Sequence, residues 1–488
     1  MTKFVHKPAL PLTVPVAWLS ALLSACSLAP TYQRPEAPVA AAFPADSAGA
    51  AARTSVPLPP AAGARDAVDT GWRDYFADPR LQQLIGAALE NNRDLRSAAL
   101  RIEEARAQYG IQSAERLPNV NANAAAARAK TPAFLSPGGQ TGIGKRYDAG
   151  LALSAFELDF FGRVKSLNDA ALAAYLATGE ARQAAQISLV AQVAQAYYTE
   201  RAYAEQYALA QRSYDARART YKLTQQRAEV GASSRLDLRA SETLMETARV
   251  AALTLARQRA QAGNALTLLV GRPAGAGSAA AAGGMPDDQQ IDALSALPAG
   301  LPSDLLARRP DIRAAEQRLK SANANIGAAR AAFFPRISLT AALGSSSPSL
   351  NGLFDGGSGS WSFAPQLSLP IFDAGRNRAN LGLAEVRQHL AVADYEKTIQ
   401  SAFREVADAL AARDYLGEQV AAQRAVQEAQ ADRLKLLQLR FDNGVASALD
   451  LLDAQRELFS AQQTLVQARL LRTTSAIDLY RALGGGVK

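Results

Sequence analysis

The sequence is poor in the residues that build metal sites and disulfides. It contains one cysteine and two histidines among 488 residues. Multi-Cys/His zinc sites, Cys-His catalytic dyads and disulfides each need at least two such residues close together. All three are therefore nearly excluded, and neither a metal site nor a cofactor is predicted.

A strong excess of one charge is also missing. The chain has 53 Lys and Arg against 45 Asp and Glu, a net charge of +8, and +6 remains if Lys3 and Lys7 are removed with a leader. Because this mild excess is spread along the chain instead of forming a patch, nucleic acid is not predicted as a partner.

Catalytic motifs are equally scarce. Residues 139–145, Gly-Gln-Thr-Gly-Ile-Gly-Lys, match the spacing of a phosphate-binding loop, but Arg146 follows where such a loop needs Ser or Thr. His389 has no cysteine or second histidine near it in the sequence. No nucleophile elbow or zincin motif occurs, so the sequence does not predict an enzyme.

The N-terminus has the features of an export signal. Lys3 and Lys7 precede an apolar stretch of about ten residues, too short to span a bilayer and typical of a signal-peptide core over residues 1–25. The stretch ends in Leu-Ser-Ala-Cys, which resembles a bacterial lipobox, so Cys26 is the predicted lipidation site; a buried core cysteine is the alternative. In lipoproteins that resemble this one, an Asp directly after the cysteine signals retention in the inner membrane, so Ser27 favours the outer membrane. Residues 26–68, rich in Pro and Ala, are predicted to form an extended tether.

The remainder of the chain contains two copies of one sequence unit. Matching residues recur at an offset of 217 and then of 213: Asp94/Asp311, Pro118/Pro335, Gly162/Gly375, Gly231/Gly444, Asp237/Asp450 and Gly271/Gly484. Such constant offsets indicate an internal duplication. We predict a first repeat over 69–271, a Gly/Ala/Pro-rich connector over 272–302 and a second repeat over 303–486.

Each repeat contains a very long helix. Residues 163–229 and 376–442 lack proline and are rich in Ala, Gln, Glu, Leu and Arg. Each run, about 100 Å long as a helix, ends near a glycine and is followed by a second helical run, so a helical hairpin is predicted. An ordinary dimeric coiled coil is the alternative.

Two strands precede each long helix. In the second repeat, Ile337, Leu339 and Leu343 alternate with polar or small residues, and Trp361, Phe363, Leu367, Leu369 and Ile371 do the same. Alternation alone fits a soluble sandwich as well as a membrane sheet. Without an apolar run of 18 residues, the mature chain could cross an outer membrane only as a closed β-barrel, and four strands are too few to close one. Several chains must then share a barrel.

Several motifs of the two repeats are distinctive in combination. The first repeat carries Trp-Arg-Asp-Tyr-Phe at 72–76 and Ala-Leu-Glu-Asn-Asn-Arg-Asp-Leu at 88–95. The second carries Arg-Arg-Pro-Asp-Ile-Arg at 308–313, Phe-Asp-Ala-Gly-Arg at 372–376 and Leu-Asp-Leu-Leu-Asp-Ala-Gln-Arg at 449–456. Together these motifs resemble the TolC-like outer-membrane efflux factors, in particular the lipoprotein branch serving resistance-nodulation-division (RND) pumps. The resemblance runs from about residue 26 to residue 486.

The resemblance implies a mainly α fold with a membrane β part. Three identical chains would form a 12-stranded outer-membrane β-barrel, continued by a long periplasmic α-helical barrel. The implied function is the outer-membrane channel of a tripartite efflux system. Its expected partners are two further copies of the chain, a periplasmic adaptor protein, an inner-membrane RND pump and outer-membrane lipid.

The resemblance also assigns roles to residues at the ends of the helical hairpins. The expected adaptor-docking tips are Val230, Gly231, Ala232, Asn443, Gly444 and Val445. Asp450 and Asp453 resemble acidic rings at the periplasmic aperture, and Asp237 resembles an aspartate beside it; solvated helical residues are the alternative. Phe441 and Ala446 stand where some relatives carry gate-locking Tyr and Arg, so those locking bonds are not predicted here.

Two other functions stay open at this point. The same fold could export polypeptides, as in type I secretion. A chain of this kind could also be a structural coiled-coil protein that spans the envelope without a conduit.

Overall fold

The computed structural model describes residues 28–43, 67, 69–135, 139–273, 285–295, 297, 305 and 308–486. The predicted leader, Cys26, most of the predicted tether and much of the connector lie outside these residues. The chain divides into two compact units. One combines Ile102–Thr178 and Ala315–Tyr395 with the described residues up to Glu36. The other contains Gly179–Ala314 and Glu396–Lys488 with the described residues of 37–101.

The first half begins with three helices and a β-hairpin. In chain order its elements are α1 (Trp72–Tyr75), α2 (Pro79–Asn91), α3 (Arg93–Ala114), β1 (Val120–Thr131), a short 3-10 helix (Ala133–Leu135), β2 (Gly142–Leu158), α4 (Arg163–Glu229) and α5 (Arg235–Val270). The second half repeats the order from the third helix onward: α7 (Pro310–Ala331), β3 (Arg336–Ser347), β4 (Gly359–Ser368), α8 (Arg376–Asp442) and α9 (Ala448–Ala482). A short helix, α6 (Asp288–Ser295), lies within the predicted connector.

Helices α4 and α8 begin and end at the predicted residues. Each has 67 residues, which at 1.5 Å per residue is about 100 Å. Both lack proline, and both end where a glycine adopts a left-handed backbone conformation. Among the described residues, no helix is long and apolar enough to cross a membrane.

Aromatic side chains anchor the core of the second unit. Tyr75 stacks on Tyr480 with ring centroids 3.9 Å apart, and Phe76 packs edge-on against Tyr75. The Tyr75 hydroxyl has one proton to donate and lies within hydrogen-bond distance of two carbonyl oxygens, those of Leu294 and Ala476, at 3.0 and 2.8 Å. The motif that opens the family resemblance is therefore a structural anchor, with Trp72 and Phe76 almost fully buried.

The first unit contains a four-stranded antiparallel sheet in the order β1-β2-β3-β4. Paired residues of the four strands form rows across the sheet. One such row consists of Ala122, Leu151, Leu343 and Trp361. Because side chains alternate between faces, the register defines two faces. The apolar face carries Tyr147, Leu151, Leu153, Phe156, Leu158, Ile337, Leu339, Leu343, Trp361, Phe363 and Leu367. The polar face carries Asn121, Asn123, Asp148, Glu157, Ser338, Thr340, Ser346, Ser360, Ser362 and Gln366.

Two features of the sheet differ from simple alternation. The register between β2 and β3 shifts between Leu153 and Phe156, and Ala155 there has a φ of 47°. This bulge returns Phe156 to the apolar face.

The prediction that Leu369 and Ile371 continue the last strand is wrong, because β4 ends at Ser368. Pro370 lies two residues beyond this end and cannot donate a ladder hydrogen bond.

Candidate functional site

The candidate site comprises the ends of the two helical hairpins, where α4 meets α5 and α8 meets α9. Both long helices end in the same pattern of backbone hydrogen bonds. Gly231 donates to Ala228 and Ala232 donates to Arg227, at 3.1 and 2.7 Å. In the second hairpin, Gly444 donates to Phe441 and Val445 to Arg440, at 2.9 and 2.8 Å. This pairing is the Schellman motif, which satisfies the last carbonyl groups of a helix.

Each of these turns requires a glycine for its backbone conformation. Gly231 has a φ of 75° and Gly444 a φ of 72°, a region that side chains with a Cβ adopt at a cost. A Cβ atom added at either position would find no atom within 4 Å apart from those of the adjoining residues in the chain. Within the chain, the glycines are therefore needed for the turn and not to admit a neighbouring element.

The remaining predicted tip residues project from the two turns. Val230 and Val445 are 79% and 66% exposed, and Ala232 is exposed as well. The Asn443 side chain donates to the Leu439 carbonyl oxygen at 2.7 Å. Each tip thus places an exposed valine beside its glycine.

Asp237 and Asp450 occupy equivalent places at the start of the returning helices α5 and α9. The Ser447 hydroxyl lies 2.7 Å from a carboxylate oxygen of Asp450 and accepts from the Asp450 backbone N–H at 3.2 Å. Ser234 and Asp237 make the same two bonds, at 2.7 and 3.0 Å. Both pairs form a reciprocal capping box.

The capping box also affects the ionisation of Asp450. Hydrogen bonds donated by the hydroxyl and the backbone N–H of Ser447 lower the pKa of the exposed Asp450 carboxyl from its ordinary value of 3.8. Hydrogen bonds of this kind favour the charged form. Asp450 is therefore ionised at neutral pH in the single chain.

Asp453 lies one helical turn further along α9 and has different partners. Its carboxylate is paired with Arg456 on the same helix and with Arg433 on α8, the latter at 3.3 Å. Arg456 also contacts Glu457 at 3.1 Å. The two cations and two anions balance, so Asp453 contributes little net field on its own.

Phe441 carries a contact of a different kind. The guanidinium carbon of Arg227, near the end of α4, lies 5.4 Å from the centroid of the Phe441 ring, near the end of α8. A cation over an aromatic face is attracted by the ring quadrupole. This contact joins the ends of the two long helices.

The partners of the predicted acidic residues were not among the features predicted from the sequence. Ser-x-x-Asp at 234–237 and again at 447–450 is the available signal for the two caps. Arg433 lies twenty residues from Asp453, and no local pattern joins them. Among the described residues, no group of three or more His, Cys, Asp or Glu could hold a metal ion.

Comparison with known proteins gives consistent results over nearly the whole chain. The family model for outer membrane efflux proteins matches residues 84–272 and 301–485. The chain is 48% identical over 465 residues to the toluene efflux pump outer membrane protein TtgC of Pseudomonas putida, covering 95% of this chain and 93% of that protein. It is 49% identical over 465 residues to the outer membrane protein OprJ of Pseudomonas aeruginosa, with coverage of 95% and 94%.

A solved structure extends the likeness to the fold. The open state of the MtrE outer membrane channel of Neisseria gonorrhoeae superimposes with a TM-score of 0.80 at 43% identity, covering 95% of this chain and 99% of that one.

Proposed function

This chain belongs to the outer membrane efflux protein family, and we propose that it is the exit duct of a three-part pump that expels small organic molecules. The observation that carries the proposal is 48% identity, over nearly the full length of both chains, to a protein named for toluene efflux. The chain is an outer membrane protein that extends into the periplasm. Members of this family are channels, and no catalytic step is proposed.

The chemistry of the two faces supports a sheet that has lipid on one side and water on the other. On the apolar face, Trp361 and Phe363 are 78% and 60% exposed in the single chain, and a lipid environment would cover them. The polar face presents the amides and hydroxyls that a water-filled interior tolerates. Four strands are too few for a closed barrel, whereas three copies would supply twelve.

The structure of the hairpin ends is consistent with an adaptor-docking surface at the tips and an aperture at the acidic residues beside them. We assign adaptor docking to the tips, residues 230–232 and 443–445, because their valines are exposed and the turns leave free space around the glycines. Three copies of Asp450 around the narrow end of the duct would attract cations, since each carboxylate is ionised. Asp453 would contribute to the charge at this end of the duct together with Arg433 and Arg456. Asp237 would lie beside the ring of three Asp450 carboxylates.

Membrane attachment would have a second component at Cys26. If Cys26 is lipidated, Cys26→Ala will abolish fatty-acid labelling of the mature chain. An unmodified Cys26 in the mature protein, detected by mass spectrometry, would refute this assignment.

Channel recordings test the main proposal. Purified trimers in planar bilayers should conduct ions, and the gene should restore toluene and antibiotic tolerance to a strain lacking its own outer-membrane factor. A non-conducting structural rod would fail both assays. Restored polypeptide secretion without restored tolerance would favour the type I alternative.

A further inference from the structure

The charged residues on the four strands are divided unequally between the two faces of the sheet. Those on the polar face form ion pairs: Arg146 lies 2.8 Å from Asp148 and Arg336 lies 2.5 Å from Glu157. Register and alternation place Arg128, Lys130 and Lys145 on the apolar face. The strands contribute no acidic residue to that face.

These three cations lie together and lack anionic partners. Arg128 is directly opposite Lys145 in the register, and Lys130 is the next residue of β1 on the same face. Like charges directly opposite each other destabilise a strand pair. All three residues are exposed, and within the described part of the chain none of them forms an ion pair. An anion from outside the chain would remove this repulsion.

The position of the three cations suggests which anion it is. Below them on the apolar face, the band from Tyr147 to Leu158 spans about 35 Å along β2, or about 27 Å after a strand tilt of about 40°. An outer-membrane sheet has an apolar band of about 25 Å. The cations therefore begin where the hydrocarbon ends, at the hairpin end that lies away from α3 and α4.

We propose that Arg128, Lys130 and Lys145 bind the phosphate groups of lipopolysaccharide in the outer leaflet. This proposal rests on the proposed function only for the orientation of the sheet, with the helices in the periplasm and the hairpin end outside. A lipid phosphate suits the site better than a free one because Tyr147, one row below, and the apolar side chains beneath it contact the acyl chains of the same lipid. Clustered Lys and Arg beside a membrane-embedded apolar surface recognise anionic headgroups in this way.

The test compares neighbouring residues on opposite faces. Trimers of the full chain in detergent are titrated with fluorescent diphosphorylated lipid A, with dephosphorylated lipid A as the reference probe. Each cation near an anionic surface contributes about fivefold in affinity. Lys145→Gln should thus weaken binding about fivefold, and the triple variant R128Q/K130Q/K145Q about 100-fold. Arg146→Gln, the adjacent cation on the polar face, should change binding less than twofold.

Three outcomes would overturn the proposal. In the first, the triple variant binds diphosphorylated lipid A as tightly as the unmodified chain. In the second, Arg146→Gln weakens binding as much as Lys145→Gln, which would mean that only total charge matters. In the third, millimolar inorganic phosphate displaces the lipid completely, which would make the site a free-anion site.

Bilayer conductance of the same preparations separates this proposal from the proposed function. The triple variant should conduct like the unmodified chain, because none of the three cations faces the interior. If no preparation conducts, the duct proposal fails, and the lipid titration still decides whether the site binds lipid A.

Discussion

The two helical hairpins end in the same backbone structure but differ in the charges around it. Both have a Schellman motif at a glycine and a Ser-Asp capping box three residues beyond it. The differences emerge when each residue of the second hairpin is compared with the residue 213 positions earlier. The first hairpin has Ala240 in place of Asp453, Thr220 in place of Arg433, Thr243 in place of Arg456 and Ala228 in place of Phe441.

This comparison separates the requirements of folding from those of function. A C-terminal glycine and a capped N-terminus are common in tight turns between helices, so the features shared by both hairpins are explained without an aperture. The ion-pair cluster around Asp453 occurs in the second hairpin alone. The Phe441 ring, which contacts Arg227 of the first hairpin, has Ala228 as its counterpart there. The Asp453 cluster and Phe441 are the stronger candidates for residues with a specialised role.

The largest expected effect concerns the tips themselves. Gly444→Trp and Gly231→Trp should each abolish most export, because a bulky side chain would project into the space proposed for the adaptor. Trimer levels should hold, since neither position has a neighbour within 4 Å. Drug tolerance and outer-membrane trimer content of the same cells measure the two effects.

Alanine at the same glycines is the matched control. It carries the same backbone strain, about 1–2 kcal/mol, without the bulk, so Gly444→Ala and Gly231→Ala should retain export. Failure of one tryptophan variant alone would show that a single hairpin docks the adaptor. Normal export by both would exclude the tips as the docking surface.

A smaller effect is expected from the aspartates of the second hairpin. The double variant D450A/D453A would remove six carboxylates from a trimer and leave Arg433 and Arg456 without their Asp453 partner. We expect lower cation selectivity and weaker block by divalent cations added from the periplasmic side. Conductance should rise if bound cations hold the aperture closed.

Asp237→Ala provides the comparison in the first hairpin. If only the second hairpin carries the aperture charge, this variant should leave selectivity close to that of the unmodified channel. Unchanged selectivity and block in D450A/D453A would place both aspartates outside the conduction path.

The capping boxes should contribute equally in the two hairpins. Ser447→Ala and Ser234→Ala each remove a serine N-cap, a change that typically costs about 1 kcal/mol. Faster amide hydrogen exchange at the affected tip, with ion selectivity unchanged, is the expected result. Altered selectivity in Ser447→Ala would contradict the view that this serine only caps α9.

The cap of α9 should also depend on pH. Because the pKa of Asp450 is lower in the folded chain than its ordinary value of 3.8, its contribution to stability is fully present above 3.8. It is lost as the pH falls through the lower folded value. Amide hydrogen exchange at this tip measures the loss. After correction for the intrinsic exchange rate at each pH, the tip amides should exchange faster below pH 3.8 than above it. In Asp450→Asn the pH dependence should disappear.

The local signals in the sequence predicted the helices better than the side-chain contacts. The ends of α4 and α8 follow from long proline-free runs that stop at glycine, and both signals are local. The bulge at Ala155 could not be predicted because it depends on pairing with β3. The Arg433 partner of Asp453 is on another helix. The Ser-x-x-Asp caps are also a local signal, so both capping boxes were predictable from the sequence, although only an aperture position or a solvated helical position was predicted for their aspartates.

The smallest expected effect tests the contact that joins the ends of the two long helices. The Arg227 guanidinium over the Phe441 ring should contribute about 0.5–1 kcal/mol, as exposed cation–π pairs do. Phe441→Leu and Arg227→Gln, alone and combined, form a double-mutant cycle read from the opening free energy of tip amides. A coupling energy near 0.5 kcal/mol would show that the contact links α4 to α8. Additive effects would mean that the ring and the guanidinium lie close together without stabilising each other. Because Ala228 replaces the ring in the first hairpin, the paired cycle of Ala228→Leu with Arg440→Gln should show no coupling.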